Sequence, residues 1–334
     1  MEIGSIYISA QGSRITKVGE RLVVRSQENK IIEDVPFFRL TQVVCFGSIE
    51  ITSAALGKLL HQGIDVVFLT LTGRFKYRLD NFNPSAVKCR IAQYQKSCDN
   101  NFRLKISREI LKGKLNNAKN FLVKRNRPAC EAVSVSIWKL KSAIEMIDAA
   151  VTADELLGIE GIAAKEYFSG LKNFFKQDLG FNERNRRPPR DPVNAMLSFG
   201  YMLLLNMIQS AIEQVGLDPM FSNLHAIQDK RHSLALDLIE EFRCPVVDTV
   251  VVRLVNLVRV QPRDFFNDER HGTRIREETI ALLVNEIQAR LRARQADPVS
   301  GKLYQLKDLI IKQAYQYKAV VTDEKSAYQA VIVQ

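Results

Sequence analysis

The stretch DNFNPSAV (80–87) divides the sequence into two parts with different hydrophobic periodicity. It is rich in asparagine and contains a proline, a composition typical of turns and linkers. Before it, apolar residues alternate with polar ones or form short runs, and after it they recur at helical spacing. We therefore predict an α+β protein, with a small N-terminal mainly-β domain at residues 1–83 and a larger all-α domain at residues 84–334.

The first part has the pattern of strands around one short helix. Runs of β-branched residues broken by glycines predict hairpins. The apolar runs LTQVVCFG (40–47) and GIDVVFLT (63–70) predict buried strands. Between them, TSAALGKLLHQG (52–63) predicts a helix with Thr or Ser at its start to cap it and Gly63 to end it.

In the second part, the clearest helix is DPVNAMLSFGYMLLLNMIQSAIEQVG (191–216). Asp191 can cap it, and Pro192 suits its first turn. Its apolar run is interrupted by Asn and Gln, so we predict a buried helix and no membrane span. The β-branched segment VVDTVVVRLVNLV (246–258) is predicted to be helical because it lies among helices, and AYQAVIV (327–333) is either a strand or disordered.

Several classes of protein are disfavoured by composition and motifs. The N-terminus lacks the pattern of a secretory signal, and the five cysteines form no CxxC pair. These features predict reduced thiols in a cytoplasmic protein, without a zinc site. Phosphate-binding loops, dinucleotide-binding turns and the motifs of zinc proteases and serine hydrolases are missing from the sequence.

Positive charge is concentrated in two places. The net charge is +11, and the window 88–127 contains twelve Lys or Arg but only two acids. A second cluster, ERNRRPPR (183–190), holds four arginines and one glutamate. Most charge runs form solvated faces, but such faces mix both signs. Concentrated positive charge instead predicts a polyanionic partner, namely nucleic acid.

One carboxylate has unusual neighbours. Glu160 lies in LLGIEGIAAKEYF (156–168), between apolar and glycine residues. Carboxylates normally lie on solvated helix faces among other charges. Either Glu160 marks the edge of a helix, or a cation lies opposite it.

A second group of acids follows His225. At 100° per residue, Asp237, Glu240 and Glu241 lie on one arc of a predicted helix that Ser233 could cap. Solvent, an arginine or a metal ion could offset their repulsion. His225 could join them only if the chain reverses before the helix, and one imidazole with two carboxylates suits Mg²⁺ or Mn²⁺.

Four segments in this order carry a family resemblance: LLGIEGIAAKEYF, DPVNAMLSFGYMLL, GLDPMFSNLH and SLALDLIEEFRCPVVD. Together they resemble the Cas-one family, the CRISPR-associated integrase and endonuclease proteins of spacer acquisition. The resemblance spans nearly the whole chain, and residues 21–69 resemble the family's β-domain.

The resemblance implies a catalytic metal site. By position, Glu160, His225 and Glu240 match the family's ligands for Mg²⁺ or Mn²⁺, and Asp237 matches a further acid at the site. His232 is the alternative to His225. It precedes the predicted cap in a charged loop, where a histidine is more often a surface residue than a ligand.

The arginine-rich loop is the predicted DNA surface. Two prolines stiffen it, so Arg184, Arg187 and Arg190 would be presented to phosphates with a small ordering cost. Lys230, near the predicted turn, could also reach a phosphate.

Polar and aromatic residues near the predicted site admit two interpretations. Asn194, Ser198 and Tyr201 form a polar stripe on an apolar helix, which suits either hydrogen bonds between helices or DNA contact. Positions similar to Asn194 and Tyr201 line the cleft in the family, so we predict DNA contact for these two. Tyr167 could stack on a base or pack in the core.

The resemblance implies an activity and an assembly. The protein would be a metal-dependent DNA endonuclease and integrase that joins prespacer duplexes to the CRISPR repeat through their 3′-hydroxyls. It would form a homodimer through the β-domain and bind the Cas-two protein, with no membrane partner. The alternatives are a repair nuclease for branched DNA and a non-catalytic, basic DNA-binding protein.

Overall fold

The computed structural model confirms the α+β class, with strands before residue 80 and a mainly helical remainder. The structure describes residues 4–71, 73, 75–79, 86–297 and 300–333. The chain divides into two compact units, Met1–Pro84 and Ser85–Gln334. The predicted boundary after residue 83 itself lies outside the described residues.

The described part of the first unit contains two four-stranded sheets, one α-helix and a 3₁₀ turn, Phe37–Arg39. Its elements are β1 (Ser5–Ile8), β2 (Arg14–Val18), β3 (Arg21–Arg25), β4 (Ile31–Pro36), β5 (Gln42–Phe46), β6 (Glu50–Ile51), α1 (Ser53–His61), β7 (Asp65–Leu69) and β8 (Phe75–Leu79). The strand orders are β1-β5-β7-β8 and β4-β3-β2-β6. β5 pairs in parallel with β1 and β7, whereas β2, β3 and β4 form an antiparallel meander.

The predicted strand–helix–strand segment is confirmed. Every residue of β5 is buried, as are four of the five residues of β7, because both strands are central in their sheet. The Thr52 side chain caps α1 by accepting a hydrogen bond from the Ala55 amide at 3.4 Å. Gly63 follows the helix with φ +68°, a left-handed conformation that glycine adopts without steric cost.

The second unit is helical apart from two short hairpins. Its helices are α2 (Val87–Ser97), α3 (Asn100–Arg125), α4 (Glu131–Met146), α5 (Ala153–Leu171), α6 (Pro192–Gln214), α7 (Ser233–Leu238), a π-helix (Arg243–Asp248), α8 (Thr249–Asn256), α9 (Glu277–Arg292) and α10 (Leu306–Val321). The hairpins pair β9 (Phe265–Asp268) with β10 (Gly272–Ile275), and β11 (Arg294–Ala296) with β12 (Leu303–Gln305). The expectation that this region is entirely α-helical is therefore corrected. These strands have only three or four residues, too few for a clear alternating pattern.

Helix α6 forms part of the core of the second unit, as predicted. The carboxylate of Asp191 caps it by accepting a hydrogen bond from the Asn194 amide at 2.8 Å. Among the described residues, α6 is the one helix long and apolar enough to cross a bilayer, and 67% of its apolar window is buried within the protein. A Cβ at Gly200 would lie 2.5 Å from a methyl group of Val247, so this glycine allows the π-helix to pack closely.

The structure defines two further segments of the second unit. Of residues 246–258, predicted to be helical, 246–256 form the end of the π-helix and α8, and 257–258 form a turn. Segment 326–333 has no regular secondary structure, yet it is ordered against the protein. Asn117 of α3 donates a hydrogen bond to the Val331 carbonyl at 2.8 Å and accepts one from the Val333 amide at 2.7 Å. Segment 326–333 is therefore neither a strand nor disordered.

Candidate active site

Helix α3, helix α5 and the turn after α7 bring two predicted ligands to one cation. Glu160 lies in the second turn of α5, which Thr152 caps. Glu240 lies in a 3₁₀ turn, Ile239–Glu241, that follows α7. The Lys114 ammonium on α3 donates a short hydrogen bond to Glu160 Oε1 and lies 2.7 Å from Glu240 Oε2. Two carboxylates far apart in the sequence therefore face the same point.

Glu240 is a buried anion held by positive charges. The Nη2 atom of Arg243 lies 3.0 Å from Glu240 Oε1. Burial acts to raise the pKa of Glu240, but the charges of Arg243, Lys114 and His225 outweigh it and lower this pKa to about 2. The described residues donate no hydrogen bond of normal geometry to Glu240 Oε2, although the Lys114 ammonium is close by. This oxygen is held by an ion pair and remains able to accept a directed bond.

Asp237 anchors the loop that carries His225. Its Oδ1 accepts a hydrogen bond from the His225 amide at 3.0 Å and lies 2.7 Å from His225 Nδ1. Its Oδ2 accepts hydrogen bonds from the amides of Asn223 and Leu224 at 2.6 and 3.0 Å. This contact favours a proton on Nδ1, so that in the neutral form of the imidazole Nε2 is the unprotonated nitrogen. Asp237 therefore orients the histidine, and both of its oxygens are occupied.

The chain reverses between His225 and α7, as the metal-site hypothesis required. Lys230 has φ +62°, and the Arg231 amide donates to the Gln228 carbonyl at 3.2 Å, which forms a turn. The prediction that Ser233 caps α7 was wrong. Its hydroxyl donates to the Ala226 carbonyl at 3.0 Å and ties the loop to the helix instead.

The N-cap position of α7 belongs to His232, whose side chain makes no capping hydrogen bond. His232 is partly buried. Its rival His225, in contrast, lies close enough to Glu240 for its charge to lower that pKa. The structure thus connects His225 to Glu240 electrostatically.

The three predicted ligands are only partly assembled. Within the described ranges, no group of three or more His, Cys, Asp or Glu side chains is close enough to hold a metal ion. Glu160 and Glu240 meet at Lys114, whereas His225 is linked to Glu240 by charge. The donor set still fits a hard divalent cation, because a buried carboxylate oxygen lacks a normal hydrogen bond and a cation already bridges the two acids.

A cavity of 490 Å³ borders this carboxylate pair. Its cationic lining side chains are Lys114, Lys165, Lys172, Arg184, Arg186 and Arg243. Its acidic lining side chains are Glu160, Glu183, Glu240 and Asp248. Cations therefore outnumber acids on its walls, an arrangement suited to an anionic ligand. His225 is not one of the lining residues.

Two predicted DNA contacts, Tyr167 and Tyr201, are buried around a carboxylate that we did not predict. Their hydroxyls donate to Asp248 Oδ2 and Oδ1 at 2.6 and 2.5 Å. Burial raises the pKa of Asp248 to about 6, although both hydrogen bonds act to lower it. The Tyr167 ring also packs edge-on against Phe121 with centroids 6.2 Å apart. The structure thus favours core packing for Tyr167, and a base could not stack on either ring without rearrangement.

Asn194 is also saturated by protein partners. It is fully buried, and its side-chain amide donates to Asp191 Oδ2 at 2.6 Å and to the Glu183 carbonyl at 2.8 Å. Its Oδ1 accepts from Arg184 at 2.7 Å, and the same guanidinium donates to Ser198 at 3.0 Å. The expected DNA contact of Asn194 is corrected, because this side chain holds the arginine-rich loop onto α6.

The arginine-rich loop presents its cations in two directions. Arg187 and Arg190 are exposed, whereas Arg184 turns inward to line the cavity, so the three are not presented together as predicted. The loop is held in place because the Pro189 carbonyl accepts a hydrogen bond from the Thr273 amide at 2.8 Å. Lys230 is exposed at its own turn and does not line the cavity.

Three residues of the site escaped the sequence prediction. Lys114 is one of twelve cations in its window, and no local signal distinguishes it from the others. Arg243 follows Glu240 at i+3, a spacing that favours an ion pair and could have indicated it. Asp248 is a lone carboxylate in the apolar run PVVDTVVV (245–252). Apolar neighbours are also the feature that distinguishes Glu160, so the same signal could have indicated Asp248.

The chain matches one protein family and its curated relatives. The family model described as CRISPR associated protein Cas1 matches residues 6–289. A relative from Thermus thermophilus, named CRISPR-associated endonuclease Cas1 3, is 31% identical over 313 residues, which cover 93% of this chain and 92% of the relative.

Solved structures share the fold. A casposase bound to its integration product superposes with a TM-score of 0.86 at 21% identity, covering 98% of this chain and 93% of that one. A chain of a Cas6-RT-Cas1–Cas2 complex gives a TM-score of 0.83 at 24% identity, covering 98% of this chain and 36% of that one. At these identities the likeness concerns the architecture.

Proposed function

Because the chain belongs to the CRISPR-associated Cas1 family, we propose that it is a metal-dependent DNA endonuclease and integrase. It joins short duplexes, the new spacers, to a CRISPR array. The 3′-hydroxyl of the duplex attacks a phosphodiester of the repeat, so one phosphodiester bond forms while another breaks. The name of the curated relative supports DNA cleavage as part of this activity.

The observation that carries the proposal is the convergence of Glu160 and Glu240 on one cation beside a cationic cavity. Anionic side chains at the edge of a positively charged cleft are poorly placed to bind DNA by themselves, because they repel phosphate. If they bind a divalent cation, the same carboxylates favour DNA binding, because the cation attracts phosphate.

Mg²⁺ or Mn²⁺ would be held by Glu160, Glu240 and the Nε2 atom of His225. When bound, such an ion polarises a phosphate oxygen and activates the attacking hydroxyl. The contact between Asp237 Oδ1 and His225 Nδ1 favours the neutral tautomer whose Nε2 can bind the ion. Arg243 contributes to the low pKa of Glu240, which keeps this carboxylate ionised at neutral pH.

The protein's own cations would align the DNA. Arg184 and Arg243 line the cavity next to the carboxylates, where guanidinium groups can pair with phosphate oxygens. Arg187 and Arg190, on the exposed side of the loop, would contact the backbone farther from the reacting phosphate. Because phosphate contacts position DNA without reading its bases, we expect them to set register and affinity.

The proposed partners are prespacer and repeat DNA, a Cas2 protein and a second copy of the chain, in the cytoplasm. The shared fold with a casposase bound to an integration product and with a complex containing Cas2 supports the first two. For the homodimer, the first unit exposes large apolar side chains, among them Ile31, Ile32 and Phe38, which a second copy could cover.

The test uses the full chain, with and without its Cas2 partner. A supercoiled plasmid containing the repeat is incubated with short duplexes and Mn²⁺ or Mg²⁺, and joined products are separated by electrophoresis. We expect strand transfer by the wild type, loss with Glu160→Ala and with chelator, and retention with Glu166→Ala. Glu166 is the matched control because it lies on the same helix but forms an ion pair with Lys139.

Three outcomes would contradict the proposal. Strand transfer that survives Glu160→Ala would remove the metal site from the mechanism. Cleavage without joining, even with Cas2 present, would indicate a repair nuclease for branched DNA. Tight DNA binding that chelation leaves unchanged, with no cleavage or joining, would indicate a non-catalytic binding protein.

A further inference from the structure

The side chain of Lys114 lies between two acidic side chains. Its side chain is only 15% exposed, and its ammonium bridges Glu160 and Glu240. Of these carboxylates, Glu240 is nearly buried and Glu160 is about one quarter exposed. Two carboxylates this close repel each other unless a cation lies between them, and the repulsion is strongest where water is excluded. The ammonium supplies this cation.

The backbone around Lys114 is held in place by contacts of its neighbours on α3, Gly113 and Asn117. A Cβ at the preceding residue, Gly113, would lie 2.5 Å from the Ala330 Cβ, so the helix and segment 326–333 are in close contact. Asn117, one turn later, donates to the carbonyls of Glu241 and Val331, each at 2.8 Å. The helix is thereby tied to the turn that carries Glu240. A change of cation at the site therefore has to occur through movement of the lysine side chain.

We infer that Lys114 is an internal counter-cation, which holds Glu160 and Glu240 together in the metal-free protein and must leave when a divalent ion binds. The inference rests on the proposed function. A metal ion and the ammonium need the same two carboxylate oxygens, so they exclude each other. Lys114 is thus a positioning residue that preserves the ligand pair and weakens metal binding by competing with the ion.

After release, the Lys114 ammonium would lie in the cavity next to the carboxylates. Lys114 lines the 490 Å³ cavity, together with Arg184 and Arg243. Because its backbone is fixed, the side chain can swing only into the space next to the carboxylates. There it would add a positive charge where DNA phosphate binds, so metal binding and DNA binding support each other through this residue.

The test measures metal binding and metal-free stability. Lys114→Met and Lys114→Gln remove the charge, and the second variant keeps a polar group if the first folds poorly. Lys119→Met is the matched control, because Lys119 lies on the same helix and bonds to Asn116 at 2.9 Å. Mn²⁺ affinity is determined by calorimetry, and the melting temperature is recorded in EDTA and in saturating Mn²⁺.

We expect the Lys114 variants to bind Mn²⁺ at least about tenfold more tightly than the wild type, which corresponds to ~1.4 kcal/mol. In EDTA they melt at least roughly 2 °C lower, because two close carboxylates lose their cation. Mn²⁺ then raises their melting temperature more than that of the wild type. Lys119→Met changes none of these values.

Mn²⁺ affinity of the Lys114 variants that equals or falls below that of the wild type would overturn the inference. If Glu160→Ala still weakens Mn²⁺ binding in that case, the proposed metal site stands and only the role of Lys114 is lost. If neither the wild type nor the Lys114 variants bind Mn²⁺, both the inference and the proposed function fail.

Discussion

The Nδ1 atom of His225 lies 2.7 Å from the Oδ1 atom of Asp237, a fully buried carboxylate that also accepts three backbone amides of the same loop. One side chain therefore determines both where the loop lies and which nitrogen of the imidazole carries the proton. Although Asp237 was expected at the site as a further acid, its contacts assign it a role in orienting His225.

Asp237→Asn should weaken metal binding and stability together. An asparagine has one acceptor oxygen, so at least one buried amide of the loop loses its partner, at a cost of about 1–3 kcal/mol. Loss of the oriented histidine should reduce Mn²⁺ affinity about 10–100-fold. Calorimetry and denaturant unfolding measure the two effects. The control is Asp229→Asn, an exposed acid in the same loop, and wild-type Mn²⁺ affinity in Asp237→Asn would contradict the assignment.

Arg187→Ala and Arg190→Ala should each weaken DNA binding without affecting metal affinity. Both side chains are exposed on a loop whose backbone is held by the Thr273 amide. If each contacts one phosphate, the slope of log affinity against log salt concentration should fall by about 0.9 per substitution. Fluorescence anisotropy at several salt concentrations measures the slope. An unchanged slope in both variants would place the DNA elsewhere.

Glu241→Gln should flatten the pH dependence of stability between about pH 4.5 and pH 7. Burial raises the pKa of Glu241 from 4.5 to about 7, despite hydrogen bonds from Tyr328, Val331 and Gln313. The folded state therefore binds a proton more tightly than the unfolded state. The contribution of Glu241 to the free energy of unfolding is fully present below about pH 4.5. It is lost as the pH rises through 7, a change of roughly 3 kcal/mol.

Unfolding measured at pH 5 and at pH 7.5 tests this sign. The wild type should lose more stability than Glu241→Gln over this interval. Asp248 shifts in the same direction, with a pKa of about 6, and should leave a residual loss in the variant. An equal change in both proteins would show that Glu241 does not titrate in this range.

Gly113→Ala and Gly158→Ala should have opposite effects on stability, although both glycines lie within helices. A Cβ at Gly113 meets the Ala330 Cβ at 2.5 Å, so we expect a loss of about 1–3 kcal/mol from overpacking. A Cβ at Gly158 meets nothing within 4 Å, so the better helix propensity of alanine should add about 0.5–1 kcal/mol. Thermal unfolding of the two variants compares them. If Gly113→Ala is as stable as the wild type, segment 326–333 does not pack closely against α3.

Local patterns were sufficient for most of the fold. The turn-rich stretch 80–87 separates strand patterns from helical ones, and the caps of α1 and α6 were identified from their residue types. Glu160 attracted attention because its apolar neighbours are unusual for a carboxylate, and a cation does lie opposite it. Each of these signals arises from residues within a few positions of one another, where periodicity and capping operate.

Local sequence patterns failed to predict contacts between residues that are distant in the sequence. The polar stripe on α6 left hydrogen bonding and DNA contact open, and the family resemblance favoured DNA contact for Asn194 and Tyr201. In the structure, Asn194 bonds to the arginine-rich loop and Tyr201 bonds to Asp248. The spacing of polar residues on a helix shows that they share a face. It does not show what covers that face.

The amino-acid order alone therefore specifies the helices and strands, the concentrated charge and the residue types able to bind a hard cation. Packing of α3 against α5 and the turn after α7 selects Lys114 from twelve similar cations and sets it between Glu160 and Glu240. The physical reason is range. Backbone propensity and capping depend on near neighbours, whereas an ion pair depends on which distant surfaces the hydrophobic core brings together.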